Sequence, residues 1–285
     1  MWENLRFYFL YSLIYIVSLL PMPLLYFLSD LSSIALEYLI RYRHSVIISN
    51  LRRVFPEKSY SELKTIKKQF YRHFSDLIFE NIKSISQSPQ RLAKSLQVKG
   101  EDLLSEIYEE GRSVLFLTGH FANWEYVKLG IFMYSPFINQ AVYRPLKNRI
   151  FDRLLESTRN RYDGILIPQK DMGRKLLSQK KEQTLTIILY DQSPSNPAQC
   201  NWYSFLGQDT AFYTIVNKLQ ARTGDAVVFG HMRKLKRGHY QLRFERLSEE
   251  DPIGDYVKKL EEEIRDDPSL WLWSHRRWKA KKKVK

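Results

Sequence analysis

The pattern of hydrophobic and polar positions changes texture twice along the chain. From Phe7 to Ser29 there are 23 consecutive residues without a charge, dense in Leu, Ile, Phe and Tyr. As one helix this run is roughly 34 Å long, enough to cross a ~30 Å hydrocarbon layer. Pro21 and Pro23 interrupt it, and a proline inside a helix removes a hydrogen bond and kinks the axis. A helix that stops near Leu20 is only ~20 Å long and suits an interfacial or re-entrant placement. A buried core helix is the third arrangement the pattern allows. Little charge precedes the run and no small-residue cleavage site comes after it, so a signal peptide is not expected.

Residues 31–95 read as helices, with breaks near Phe55-Pro56 and Ser88-Pro89. Between Tyr60 and Ser86 the apolar positions Leu63, Ile66, Phe70, Phe74, Leu77, Ile78 and Ile82 recur with helical spacing. From about 96 short apolar runs alternate with amphipathic ones. Strands are expected at Ser113–Thr118, Ile138–Tyr143, Gly164–Pro168, Thr184–Tyr190, Ala226–His231 and Tyr240–Arg246. Helices are expected at about 101–110, 123–134, 147–161, 171–180, 212–223 and 252–266. This alternation predicts an α/β fold with a central, mostly parallel sheet flanked by helices, preceded by an N-terminal membrane-associated helix. The nearly continuous apolar runs Val114–Leu117 and Leu185–Leu189 suit central strands. Reactive groups in such sheets gather beyond the carboxyl ends of the strands.

Composition narrows this. Apolar residues are 44% and charged residues 27% of the 285, which excludes a disordered chain and allows one large domain or one with a small appendage. The single cysteine, Cys200, excludes an intrachain disulfide and a cysteine-based zinc site. The six histidines show no H-x-x-x-H spacing, so no metal site is expected. The net charge of +14 suggests a polyanionic partner: nucleic acid, an anionic membrane or an acidic protein. Its distribution separates these. Residues 101–200 are nearly neutral, whereas 41–100 hold 13 basic against 4 acidic residues and the C-terminal tail holds seven cations between Arg276 and Lys285. The basic flank Arg41, Arg43, Arg52 and Arg53 places the following chain on the cytoplasmic side and attracts anionic headgroups. Nucleic acid explains neither the uncharged run nor the polar groups at the strand ends, and is not an expected partner.

Polar clusters come directly after three of the strands. The first ends in Thr118-Gly119-His120-Phe121-Ala122-Asn123-Trp124-Glu125. With Gly119 making a tight turn and Asn123 as N-cap, Glu125 in the first helical turn reaches the His120 ring and fixes its tautomer, leaving the other nitrogen as a general base. The alternative is a surface histidine with an unrelated glutamate. The second strand runs into Tyr143-Arg144-Pro145, where the guanidinium can bind a phosphate, steady an oxyanion or pair with a loop carboxylate. The third runs into Asp191-Gln192, an acid that orients a substrate or a site side chain, or caps a turn. There is no G-x-S-x-G elbow, P-loop or G-x-G-x-x-G fingerprint.

The segment Gly119–Glu125 resembles the H-x4-D/E block of glycerolipid acyltransferases, specifically the bacterial lipid A late acyltransferases of the lauroyl/myristoyl type. Asn50–Glu57, Val142–Pro145, Asp191-Gln192, Phe205–Gly207 with Arg222–Gly224, and Trp273–Lys279 resemble that family's other blocks in order, so the likeness spans nearly the whole chain. The resemblance implies a membrane anchor over 1–40, a helical basic region over 41–95 and a catalytic domain over 96–285. It implies acyl transfer from an acyl-thioester, usually on acyl carrier protein, with acyl-CoA as the alternative, to a hydroxyl of a lipid A precursor, with another glycolipid or a phospholipid as the alternative acceptor, without a further cofactor. His120 would be the general base and Glu125 its partner. Asn123, Arg144, Asp191 and Gln192 would serve the substrates. The implied location is the bacterial inner membrane, with the catalytic part cytoplasmic. A basic docking face for an acidic carrier is expected from Lys170, Arg174, Lys175, Lys180 and Lys181, or from Arg233, Lys234, Lys236 and Arg237.

Overall fold

Val114 to Thr118 leaves no position exposed, and this strand sits in the middle of a seven-stranded sheet. In a computed structural model, which describes residues 2–145, 148–150, 152–153, 164–179 and 182–282, the strand order is β1 (Leu96–Lys99), β9 (His239–Arg246), β8 (Ala226–Lys236), β2 (Val114–Thr118), β5 (Thr184–Leu189), β3 (Ile138–Tyr143) and β4 (Ile165–Pro168). Every neighbouring pair is parallel except β8 with β9. The mostly parallel α/β sheet is therefore as expected. Phe116 is fully buried and its ring fills the space above Gly230 of β8, where an added Cβ would come within 2.2 Å of the ring. Truncating such a residue to alanine costs roughly 3–5 kcal/mol.

The helices are α1 (Trp2–Leu19), α2 (Met22–Ile34), α3 (His44–Val54), α4 (Tyr60–Ser84), α5 (Pro89–Ala93), α6 (Asp102–Glu109), α7 (Tyr126–Tyr134), α8 (Met172–Ser178), α9 (Ile215–Thr223) and α10 (Pro252–Asp266). The long α4 opens with a reciprocal capping box: Ser59 Oγ accepts from the Glu62 N–H, and Glu62 accepts from the Ser59 N–H. Such a cap is worth about 1 kcal/mol. Its buried face carries Leu63, Ile66, Phe70 and Leu77, and also His73, Asp76 and Glu80. Residues of α3 and α4 join those of the sheet in one continuous apolar core.

The uncharged N-terminal run is two helices, because the chain breaks at Pro21. α1 and the segment beginning at Met22 meet at 118°, and no single helix among the described residues is long and apolar enough to cross a membrane. Thus the interrupted arrangement forms, not the continuous one.

Three elements carry no clear mark in the sequence. Strand β1 is only four residues long. Strands β6 (Cys200–Phe205) and β7 (Gln208–Tyr213) form a separate hairpin that takes the first residues of the helix expected over 212–223. Its turn places Leu206 at φ 53° and Gly207 at φ 72°, the two positive values a tight hairpin turn needs. The helix expected over 147–161 lies largely outside the described residues, as do Lys180 and Lys181.

Candidate active site

Strands β2, β5 and β3 run parallel and end at one edge of the sheet, so His120, Asp191 and Arg144 come together just beyond it. The Tyr190 N–H donates to the Thr118 carbonyl at 3.0 Å and ties the ends of β5 and β2. Immediately after it, Asp191 takes His120 by both backbone and ring. The His120 N–H donates to Asp191 Oδ2 at 2.9 Å, and the ring Nδ1–H donates to Oδ1 at 2.6 Å. Trp271 Nε1–H donates to Oδ2 at 2.8 Å. Burial alone raises the Asp191 carboxyl, but the facing His120 and these three donors outweigh it and hold the group at about 2. A permanently ionised acceptor at Nδ1 keeps the proton there and leaves Nε2 as the acceptor nitrogen. Nε2 lies 3.1 Å from the Gln192 amide nitrogen, which donates to it.

This corrects the expected partnership. Both ring nitrogens of His120 are engaged by Asp191 and Gln192, so the orienting contact assigned to Glu125 is made by Asp191. The physical reason is geometric: Asp191 projects from the neighbouring strand directly at the loop, whereas Glu125 sits at the N-cap of α7, on the wall of the same pocket. Asn123 is also corrected. It does not cap α7. Its side chain is fully buried and its Nδ2 donates to Glu80 Oε2 at 2.8 Å, so it belongs to a structural link and not to the pocket wall.

Around that link the loop is held from below. Tyr240 OH donates to Glu80 Oε2 at 2.8 Å and Tyr26 OH to Oε1 at 3.1 Å. Burial pushes the Glu80 carboxyl up to about 7, against the hydrogen bonds from Tyr240 and Asn123. His73 Nε2–H donates to the Ala122 carbonyl at 3.2 Å, while its Nδ1 accepts from Lys234 at 3.3 Å. Burial, then the Lys234 charge, pulls His73 down to about 3, so it is neutral. Ala122 adopts φ 48°, a conformation costly for a residue with a Cβ, and these contacts impose it. Gly119, expected to make a tight turn, allows close approach: a Cβ there would meet Leu260 of α10 at 2.7 Å. Of the second group expected to form a docking face, Lys234 and Arg237 are partly buried. Lys234 reaches His73, and Arg237 pairs with Asp76 at 2.6 Å and Asp30 at 2.7 Å.

The C-terminal segment closes the site. The Ala122 N–H donates to the Leu270 carbonyl at 3.0 Å and the Leu272 N–H to the His120 carbonyl at 3.1 Å. Asn50 of α3 donates to the Trp273 and His275 carbonyls, both at 2.9 Å. His275 Nε2 accepts the Ser193 N–H at 2.9 Å, and burial lowers its pKa to about 4. Arg277 is buried, lies 4.4 Å over the Phe212 ring and donates to the Ala211 carbonyl at 2.8 Å.

His120 and Gln192 open onto a pocket of about 890 Å³, within the roughly 300–1,000 Å³ typical of small-molecule sites. Val142, Leu166, Met172, Ile187 and Ile215 give it an apolar wall; Lys128, Arg144, Lys170 and Arg174, with Glu125 and Asp152, give it a charged one. Arg144 is exposed. The arrangement offers a proton acceptor beside an apolar chamber, with no enzyme nucleophile required.

The chain matches the model of the bacterial lipid A biosynthesis acyltransferase family over residues 3–280. The chain belongs to this family. It is an acyltransferase. Among curated relatives it is 25% identical over 281 residues to the lipid A biosynthesis lauroyltransferase of Escherichia coli (strain K12), covering 95% of this chain and 90% of that one. It is 24% identical to the lipid A biosynthesis palmitoleoyltransferase of the same organism, covering 92% and 87%. It is 23% identical to a Haemophilus influenzae lipid A biosynthesis acyltransferase, covering 84% and 78%.

Within this acyltransferase, sequence reasoning missed Trp271, His73 and Glu80. The last two had a signal: polar residues at 73, 76 and 80 share the face defined by Phe70 and Leu77, where an amphipathic helix buries apolar side chains. Trp271 had none, since an indole beside a second Trp reads as core.

Proposed function

We propose that the protein moves a fatty acyl chain from an acyl-thioester, carried by acyl carrier protein, to a hydroxyl of a membrane glycolipid, a lipid A precursor being the acceptor. The observation that carries this reading is the His120–Asp191 pair, with His120 Nε2 at the mouth of an apolar pocket, in a chain of this family. The acceptor hydroxyl gives its proton to Nε2, and its oxygen attacks the thioester carbonyl carbon. The tetrahedral intermediate collapses with cleavage of the C–S bond. The leaving thiolate takes the proton back from His120, so the products are an ester and a free thiol. Asp191 stabilises the imidazolium that forms between these steps. Arg144, at the pocket mouth, steadies a phosphate of donor or acceptor.

The membrane reading rests on α1 and α2. Of 22 exposed large apolar side chains among the described residues, 14 lie between Leu5 and Ile40, a concentration that suits insertion into one leaflet. The bent pair then holds the chain at the cytoplasmic face of the inner membrane, with the basic flank against anionic lipid.

The test uses the full chain purified in detergent, with labelled acyl-acyl carrier protein or acyl-CoA and a panel of glycolipid acceptors. Transfer to a lipid A precursor from the carrier protein, lost in His120→Ala with near-ultraviolet circular dichroism unchanged, is the expected outcome. Transfer from acyl-CoA alone reassigns the donor. Undiminished transfer by His120→Ala removes the general-base role.

A further inference from the structure

A second cavity, of about 460 Å³, has walls from α3 and the C-terminal segment and shares no lining residue with the His120 pocket. Three of its side chains are cationic, Arg53, Arg276 and Lys279, and none is acidic. Among the described residues no carboxylate stands within ion-pair distance of these three cations. Ser45 and Ser49, one helical turn apart on α3, add two hydroxyls that bond to no other described residue. Arg53 lies 5.9 Å from the Trp278 ring, a contact that spreads over its face without neutralising it. Like charges gathered on one concave wall repel each other and focus a field that draws an anion. Guanidinium forks and hydroxyl donors together match the oxygens of a phosphate.

The position of the cleft says where that phosphate resides. Leu39 and Ile40 are 80% and 66% exposed, the apolar tip of the N-terminal helices. Arg41 and Arg43 come next, and Ser45 is five residues beyond Ile40, no more than ~18 Å of chain. With the apolar tip in a leaflet, the cleft faces the headgroup layer.

We propose that this cleft is a subsite for the phosphate of a membrane-lipid headgroup. The inference deepens the membrane reading of α1 and α2 and rests on it. The cleft also shares a segment with the active site: Arg276 is the neighbour of His275, which accepts the Ser193 N–H next to the His120-bound Gln192. Headgroup binding there braces the wall that carries this contact.

The test is flotation of the full chain with vesicles of neutral phosphatidylcholine, alone or with added phosphatidic acid, or with a charge-matched sulfated lipid that has no phosphate. The triple variant Arg53→Ala/Arg276→Ala/Lys279→Ala is compared with Lys94→Ala/Lys99→Ala/Lys218→Ala, which removes the same charge from positions elsewhere on the chain. Neutral vesicles should bind all three proteins alike through α1 and α2. Phosphatidic acid should strengthen wild-type binding, and the cleft variant should lose on the order of tenfold to a hundredfold of that gain while the control stays within about twofold. Equal losses in both variants, or an equal gain with the sulfated lipid, overturn the phosphate subsite. Competition by millimolar inorganic phosphate as strong as that by lipid assigns the cleft to a free anion and overturns the headgroup assignment. Failure to bind neutral vesicles at all strikes the membrane reading instead, and leaves the acyl-transfer assay untouched.

Discussion

Replacing Asp191 with asparagine changes one atom and reverses the proton on His120. Oδ2 of Asp191 accepts two N–H donors, from the His120 backbone and Trp271, whereas Oδ1 accepts only the ring Nδ1–H. In Asp191→Asn the amide oxygen takes the place with two donors, which turns the NH2 toward Nδ1. Nδ1 must then accept, and the ring proton moves to Nε2, the nitrogen that takes the acceptor's proton in the proposed reaction. In the Ser-His-Asp triad the same exchange lowers kcat by about 10⁴-fold, equivalent to roughly 5.5 kcal/mol of barrier. The loss here should be of that order, with KM nearly unchanged, because no substrate contact is touched. Stability changes separately. The carboxyl is at about 2 when folded against an ordinary value of 3.8, so the unfolded state binds more protons as pH falls. The pair therefore contributes roughly 2 kcal/mol above pH ~4, lost progressively toward pH ~2, and the asparagine variant lacks this dependence. Single-turnover acyl transfer and thermal midpoints at pH 7 and pH 3 read the two effects independently. A variant that keeps more than about a tenth of wild-type kcat would refute the tautomer argument.

Glu80→Gln should flatten the dependence of stability on pH. Burial raises the folded carboxyl from 4.5 to about 7, so the folded state holds its proton more tightly and stability declines as pH rises through that interval. Thermal midpoints of the two proteins that stay parallel between pH 4.5 and 7 would exclude this. The same variant loosens Asn123 and the loop behind His120, so kcat should fall, by up to ~10²-fold, with KM for the donor held. An unchanged kcat removes Glu80 from the positioning of the loop. Arg144→Ala should raise KM about tenfold at low salt and leave kcat near wild type, since an exposed guanidinium at the pocket mouth binds the ground state as well as the transition state. A fall in kcat instead places Arg144 on the developing oxyanion.

Much of the fold could be read from apolar texture, because buried parallel strands need runs such as Val114–Leu117, and a single-sided helix such as α4 needs 3.6-residue spacing. The edge strand β1 and the hairpin β6–β7 carry no such mark: they are short, half-exposed and defined by their partners. The site was legible as a set of strand ends, since parallel strands deliver their C-terminal residues to one edge. The pairing within the set was not. Along the chain Glu125 comes within reach of His120 only with His120 on a loop and Glu125 in the first helical turn, whereas a hydrogen bond across adjacent strands is decided by register. Thr118 stands opposite Leu189, which places Asp191 opposite His120. A register of this kind is set by side-chain packing over the whole sheet.

The support beneath His120 has a consequence for assembly. Its ring is held by Asp191, and Asp191 is held in turn by Trp271, near the chain's end. Its loop is clamped by the backbone of 270–272 above and by His73 and Glu80 of α4, through Ala122 and Asn123, below. The C-terminal segment itself is pinned by Asn50 of α3. No piece of the sheet alone therefore carries a correctly oriented His120. α3, α4 and the segment 270–275 all contribute to its orientation. α3 and the C-terminal segment also line the second, cationic cavity. In the proposed function, orientation of His120 as the base and contact with a lipid surface share these segments, so a change that displaces one of them is expected to act on both.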